Sequence, residues 1–171
     1  MSDDQATNAP DPYDEFEFKC PYTLLGDINA KKVIEFSGLI ARIEYALLLI
    51  GHVSKKTAWL QADWVGFAES MSGKLLSQGS KKLQESVKLL SEEPPNQYLA
   101  NYNWEPRAYK KGLSADSLAI LAAKDVRNNL FHGIKFNNPD LHRNNDLIDA
   151  AYIVLRGCLM ANVQLNEFYS I

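Results

Sequence analysis

Apolar residues recur every three or four positions in four stretches of this chain, and this spacing constrains the fold more than any other feature. In the first stretch, residues 31–53, the apolar positions are Val33, Phe36, Ile40, Ile43, Leu47 and Ile50. Only an α-helix gathers residues at this spacing into one stripe, and the stripe must be buried against other elements. The pattern therefore predicts an all-α fold, an up-and-down bundle of four to five helices.

The other three stretches show helix boundaries of their own. Asp63 and Ser114 are good N-caps for the second and third stretches, and the second is interrupted at Gly79 before it resumes at residues 81–90. Gly51 and Gly133 favour the C-terminal ends of the first and third helices. The last helix is expected to run from Asp146 to about Tyr169. The residues expected to face the core are Trp64, Phe67, Met71, Leu75, Leu83, Val87 and Leu90, then Leu118, Leu121, Ala122, Val126 and Leu130, and finally Ile148, Ala151, Leu155, Leu159 and Val163.

Two segments lack this periodicity. Residues 1–21 contain three prolines and scattered acids, which predicts a flexible tail before a helical domain at residues 22–171. Residues 92–113 form a connection longer than most, with aromatic rings that either stack on unpaired bases or pack onto the bundle. No run of alternating apolar residues predicts a β-strand anywhere in the chain.

The charge of the chain is unevenly distributed. The whole sequence has 18 Lys and Arg against 21 Asp and Glu, a net charge of −3. Residues 1–18 contain six acids and no base, so residues 19–171 retain 18 bases and 15 acids, a net of +3. The body of the chain is therefore mildly basic, which permits a partner that carries phosphates without requiring one.

Signals for targeting, metals and cofactors are absent from the sequence. Residues 1–12 lack the basic and apolar pattern of a leader, and the longest apolar stretch, residues 45–50, is far shorter than the ~20 residues of a membrane span. We therefore expect a cytoplasmic protein with no membrane partner. Cys20 and Cys158 have no zinc or redox spacing, and there is no glycine-rich phosphate loop, so no metal and no cofactor are predicted.

One segment, Val126-Arg127-Asn128-Asn129-Leu130-Phe131-His132-Gly133, combines groups that can perform chemistry. A guanidinium is permanently charged and binds two phosphate oxygens as a fork, and an imidazole can move a proton near neutral pH. Together they can cleave RNA with the substrate's own 2′-hydroxyl as the nucleophile, without a metal. An Arg five residues before a His is also common by chance, so a structural role for Arg127 in an ion pair and for His132 at the helix end stays open.

The segment from Arg127 to Gly133 resembles the Arg-x4-His signature of HEPN domains, the higher eukaryote and prokaryote nucleotide-binding helical domains, many of which are ribonucleases. The segments 41–47 (ARIEYAL) and 62–68 (ADWVGFA) are similar to stand-alone bacterial members. The resemblance spans roughly residues 33–165. It implies a helical bundle that acts as a homodimer, with the motif helices facing a shared cleft, and metal-independent cleavage of RNA in toxin–antitoxin or antiviral defence.

The resemblance also implies roles for individual residues. Arg127 and His132 take the catalytic positions, with Asn128 as a polar helper. The supporting candidates are a carboxylate on the first helix, an amide beside the motif and two lysines of a phosphate-binding rim: Glu44, Asn129, Lys124 and Lys135. Some toxin members have a Tyr two residues after the His as the site of AMP attachment. Ile134 occupies that position here, so control by that route is not expected, although an antitoxin or other regulatory protein is a candidate partner.

Two alternatives to catalysis stay open. One is a non-catalytic HEPN-fold module that binds a nucleotide or a protein, and the other is a purely structural dimer in which Arg127 and His132 brace the helix end. The surroundings of Arg127 and His132 distinguish these functions. A solvent-open cleft in which neither is paired with an acid favours catalysis, and a buried pair of Arg127 with a carboxylate favours bracing.

Overall fold

A computed structural model describes Leu25 and residues 28–56, 58–100, 103–131 and 141–171. This part of the chain is mainly helical, as predicted. Its helices are α1 (Ala30–Leu49), α2 (Trp64–Ser70), α3 (Lys81–Glu92), α4 (Ala115–Phe131), α5 (Leu141–Ala161) and α6 (Val163–Tyr169). A short 3-10 turn at Leu76–Gln78 precedes α3, and a two-stranded antiparallel sheet, β1 (Gln97–Tyr98) and β2 (Trp104–Glu105), lies between α3 and α4.

Helices α3, α4 and α5 pack against one another at the centre of the molecule. Helix α2 lies on α4, and α1 lies on α5 and α6. The predicted stripes converge on one apolar core, where Phe36, Phe67, Ile120 and Leu155 have no exposed surface. Full burial of a side chain of this size contributes about 1.5–3 kcal/mol to the stability of the fold, so burial of the stripes holds the helices together. None of the helices in the described ranges is long and apolar enough to cross a membrane.

Helix α1 ends in a turn that the sequence predicted at Gly51. The amide of His52 donates to the carbonyl of Leu47 at 2.9 Å, and the amide of Gly51 donates to that of Leu48 at 3.2 Å. This pair of bonds is a Schellman motif, and it requires the left-handed φ of +88° that Gly51 adopts without a Cβ penalty. The turn ends α1 at Leu49, two residues before Gly51, and reverses the chain toward α2.

Helix α2 begins at the predicted cap. The side chain of Asp63 accepts a hydrogen bond from the Gly66 amide at 3.1 Å. A Cβ at Gly66 would lie 2.5 Å from Asp63 Oδ2, so the cap depends on the glycine. The helix stops at Ser70, earlier than the apolar spacing indicated, although Met71 and Leu75 are buried as expected.

Two predictions about the later elements are wrong. The last helix was expected to be continuous from Asp146, but α5 begins at Leu141 and ends at Ala161. The side chain of Asn162 then accepts from the Leu165 amide at 2.9 Å and starts α6. This break changes the helical register, so Val163, which was expected to face inward, is 73% exposed.

The small sheet is the second difference from the prediction. Its strands have two residues each, too few to show alternation in the sequence. The Tyr98 and Trp104 rings pack on each other across it, with centroids 5.1 Å apart. The predicted tail at residues 1–21 and the predicted helix stop at Gly133 lie outside the described residues.

We expect Gly157→Ala to destabilise the fold, because α3 and α5 approach closely there. A Cβ at Gly157 would lie 2.8 Å from the Cδ1 atom of the buried Leu83, and overpacking of this kind costs about 1–3 kcal/mol. Urea denaturation measures the change in the free energy of unfolding. The matched control is Gly38→Ala in α1, where an added Cβ has no atom within 4 Å and should stabilise by about 0.5–1 kcal/mol. Equal effects at the two glycines would contradict this account of the α3–α5 contact.

Candidate active site

An ion pair joins α1 to α4 at the motif that the sequence analysis singled out. Arg127 Nη2 donates to Glu44 Oε2 at 3.2 Å, between residues 83 positions apart in the chain. The other oxygen of the same carboxylate, Oε1, accepts from the indole Nε1 of Trp64 at 3.1 Å. Three elements, α1, α2 and α4, therefore meet through the carboxylate of Glu44.

The helical spacing explains why these two side chains lie at the edge of the core. Ile43 and Val126 are fully buried, and the residue that follows each is rotated by about 100° around its helix. Glu44 and Arg127 therefore lie at the boundary between core and solvent, with 28% and 35% of their side chains exposed. At this burial the pair is neither freely hydrated nor sealed from water.

A second carboxylate, Asp125, organises the neighbouring part of the site. It is 3% exposed, and Oδ2 accepts from the Tyr109 hydroxyl at 2.9 Å. Arg107 Nε lies 3.2 Å from the same oxygen, without the alignment of a hydrogen bond. Lys124 Nζ lies 3.8 Å from Oδ1. A buried carboxylate needs such partners, because an uncompensated charge in the interior is strongly destabilising.

Asn128 connects the two carboxylates through Arg127. Its side-chain oxygen accepts from Arg127 Nη1 at 3.2 Å, and its Nδ2 donates to Asp125 Oδ1 at 3.4 Å. The amide orientation is therefore fixed by a donor on one side and an acceptor on the other. We call the connected residues Trp64, Glu44, Arg127, Asn128, Asp125, Tyr109, Arg107 and Lys124 the α4 polar network.

The structure brings some of the sequence-predicted site residues together and not others. Arg127 contacts both Asn128 and Glu44, and Lys124 lies beside Asp125 in the same network. Asn129 does not join them, because its Nδ2 donates to the carbonyl of Asn96 at 2.7 Å and so holds the 92–113 connection on α4. His132 and Lys135 lie outside the described residues, which include α4 as far as Phe131.

The aromatic residues of the 92–113 connection mostly pack onto the protein. Tyr109 binds Asp125, and Tyr98 packs on Trp104. Tyr102 lies outside the described residues. Of the two expectations for this segment, packing onto the bundle describes Tyr109, whereas Tyr98 and Trp104 pack on each other within the connection.

Sequence reasoning missed Asp125 and Trp64 as members of the site, and it considered Tyr109 only as one of the aromatic residues of the 92–113 connection. The available signal was Asp125 itself, an acid directly before Val126, which was expected to face the core. The contacts of Tyr109 and Trp64 depend on how a loop and a helix start fold back onto α1 and α4, and no local pattern encodes that. In the part of the chain that the structure describes, no group of three or more His, Cys, Asp or Glu is placed to hold a metal ion.

We expect the stabilising effect of Tyr109 to decline in alkali. Burial, and then the negative charge of Asp125, raise the pKa of Tyr109 in the folded protein above its ordinary value of about 10. Its contribution to stability is thus complete below pH ~10 and is lost as the pH rises beyond it, since the unfolded chain releases this proton first.

Unfolding in urea at a series of pH values measures this effect. Tyr109→Phe should lower the free energy of unfolding by about 1–3 kcal/mol at pH 8, because Asp125 loses a hydrogen-bond donor. The difference from the wild-type protein should narrow above pH ~10. A difference that stayed constant, or widened, over the alkaline range would show that Asp125 and Tyr109 are not coupled in this way.

Comparisons with protein-family models, with curated proteins and with solved structures find no match to this chain. The resemblance to HEPN domains therefore stands on the three sequence segments that carry it. A functional interpretation has to be built from the α4 polar network and the chemistry of its groups.

Proposed function

We propose that this protein is a cytoplasmic, metal-independent endoribonuclease on a HEPN-like up-and-down bundle, acting in toxin–antitoxin or antiviral defence. Arg127, His132 and Asn128 are the proposed catalytic residues, at the interface of a homodimer. The observation that carries the proposal is the fixed guanidinium of Arg127, held by Glu44 and Asn128 at a partly exposed edge of α4. A charge fixed before the reaction stabilises a transition state without the cost of reorganisation.

The reaction balances without an added cofactor. The 2′-oxygen of the substrate attacks the neighbouring phosphorus, the bond from phosphorus to the 5′-oxygen breaks, and the products are a 2′,3′-cyclic phosphate and a 5′-hydroxyl. One proton leaves the 2′-hydroxyl and one reaches the 5′-oxygen, and His132 is the proposed carrier. Because one imidazole cannot accept and donate at the same moment, a homodimer with two copies of His132 suits this chemistry.

The charges of the α4 polar network support binding of a phosphate. Three cations, Arg127, Lys124 and Arg107, face two carboxylates, Glu44 and Asp125. The network therefore keeps a net positive charge, and Arg127 is its cation closest in sequence to His132. Glu44 is a positioning residue in this proposal, because it holds Arg127 while Trp64 holds Glu44.

The same ion pair favours a second candidate function, the non-catalytic module that binds a nucleotide or a protein. A guanidinium paired with a carboxylate at 3.2 Å also braces α1 against α4. In that case Arg127 and Glu44 contribute to stability, and no RNA is cut. The two candidate functions differ in the effect that they predict for Arg127→Lys on the rate of RNA cleavage.

Cleavage of RNA in the presence of EDTA is the first test. The purified wild-type protein should cut mixed RNA with chelator present and leave 2′,3′-cyclic phosphate ends. Arg127→Ala and His132→Ala should each lower the rate by about 100-fold or more, since each removes a group that acts in the transition state. The matched control is Arg42→Ala, which removes a guanidinium that donates to the Tyr169 carbonyl at the α1–α6 contact. If the two site variants were folded and cut at the wild-type rate, the assignment would be wrong.

Arg127→Lys separates catalysis from bracing. A lysine keeps the positive charge opposite Glu44, and a pair at this depth is worth about 1 kcal/mol, so the melting temperature should stay within a few degrees of wild type. The fork that binds two phosphate oxygens is lost, so the rate should fall by roughly 10- to 100-fold. Cleavage at the full rate by Arg127→Lys would favour a role for charge alone. Absence of cleavage by the wild-type protein, with large losses of stability in Glu44→Ala and Arg127→Ala, would favour the second candidate.

A further inference from the structure

The connection between α1 and α2 is a closed loop with a defined base. Val53 and Ala62 form an antiparallel bridge. The amide of Ser54 donates to the carbonyl of Gln61, and the amide of Asp63 donates to that of His52, both at 2.8 Å. These contacts close the connection into a hairpin, which we call the α1–α2 hairpin. Its tip is formed by residues 54–56 and 58–61.

The tip of this hairpin presents large apolar side chains to solvent. Trp59 is 80% exposed and Leu60 is 72% exposed, whereas Trp64, five residues after Trp59, is 6% exposed. An indole is among the most favourable side chains to bury. Neighbouring exposed side chains of this size are typical of a surface that contacts another molecule.

The charge around these side chains indicates what kind of molecule that is. Lys55 and Lys56 lie exposed in the same tip, and the chain has no Asp or Glu from Tyr45 to Ala62. The hairpin is therefore a locally basic element in a protein with a net charge of −3. An aromatic ring beside two cations matches a strand of phosphates and planar bases.

The hairpin is also attached to the residues that hold Arg127. Its second side leads through Asp63 into Trp64, whose indole donates to Glu44, the partner of Arg127. At its base, the ring of His52 packs edge-on against Phe67 of α2, with centroids 5.4 Å apart. The tip is thus carried by α1 and α2, the elements that meet the α4 polar network at Glu44.

We propose that Trp59 stacks on an unpaired base of an RNA strand while Lys55 and Lys56 contact its phosphates. This inference rests on the proposed function, and it specifies single-stranded RNA as the substrate class. The base faces in a duplex are covered by their neighbours, so only an unpaired base offers a face to the indole. Attack by a 2′-hydroxyl also requires the leaving 5′-oxygen to lie opposite the attacking oxygen at the phosphorus. A flexible nucleotide can reach this geometry, whereas a regular duplex restrains it.

Binding of an RNA that cannot be cut tests the stacking directly. The probe is a single-stranded 2′-O-methyl oligomer of about twelve nucleotides, which lacks the nucleophile, and its Kd is measured by fluorescence anisotropy with the full chain. Trp59→Ala should weaken binding about tenfold, the loss expected for one stacked base, and Trp59→Phe should keep most of the affinity. The matched control is Met160→Ala, a residue on α5 that is 73% exposed and should bind as wild type.

The salt dependence of binding tests the lysines. Replacing both Lys55 and Lys56 with Ala should weaken binding at low salt. It should also reduce the slope of log K against log salt by about 1.4, since each of the two single-strand contacts releases roughly 0.7 counterion. Lys81→Ala combined with Lys82→Ala, two exposed lysines of α3, should leave the slope unchanged.

Three outcomes would overturn the inference. The first is wild-type affinity for the single strand in Trp59→Ala. The second is a loss of affinity for duplex RNA in Trp59→Ala that equals the loss for the single strand. The third is a Trp59→Ala variant that keeps RNA binding but loses binding to anionic phosphatidylserine vesicles or loses self-association. The cleavage assay keeps the two proposals separate. Binding that depends on Trp59 without cleavage would remove the ribonuclease assignment alone, and cleavage with unchanged binding in Trp59→Ala would remove the stacking site alone.

Discussion

The carboxylate of Glu44 is the contact on which the arrangement of the site depends. It holds Arg127 of α4 with one oxygen and the indole of Trp64 with the other, so two helices and the start of a third are fixed around one group. Neither partner could be placed so definitely by apolar packing, which is non-directional. Hydrogen bonds to a charged group are directional and stronger than neutral ones.

A second level of order comes from Asp125, a carboxylate on α4 that is more deeply buried than Glu44. Placing a carboxylate in the interior is costly unless cations and donors surround it, and here the 92–113 connection supplies Arg107 and Tyr109. The folding of that long connection is therefore linked to α4. Through Asn128, the buried carboxylate also restrains the guanidinium of Arg127, so the loop and the proposed catalytic group share one network.

Much of the fold could be predicted because residues close together in the sequence determine it. The stripe of α1, the cap at Asp63 and the reversal at Gly51 each depend on residues within a few positions of one another. The break at Asn162 was missed because an apolar residue follows it at the helical spacing, and only the side-chain cap reveals a new start. The two-residue strands are too short to leave a pattern at all.

The candidate site was predictable to a smaller extent. Arg127, Asn128 and Glu44 were identified through a resemblance, and the structure places Arg127 in contact with the other two. Asn129 instead holds a loop carbonyl, because a residue two positions further along a helix points to a different side. Trp59 gave no signal, since its exposure depends on where the hairpin tip lies relative to the core.

The absence of a side chain at Gly66, in the first turn of α2, has a consequence for the α4 polar network. Gly66 leaves room for the Asp63 carboxylate, which would otherwise meet a Cβ at 2.5 Å. Displacing that carboxylate would shift the first turn of α2, and with it the indole that orients Glu44. A methyl group at position 66 is therefore expected to disturb, through Asp63, Trp64 and Glu44, a guanidinium on another helix that it does not contact.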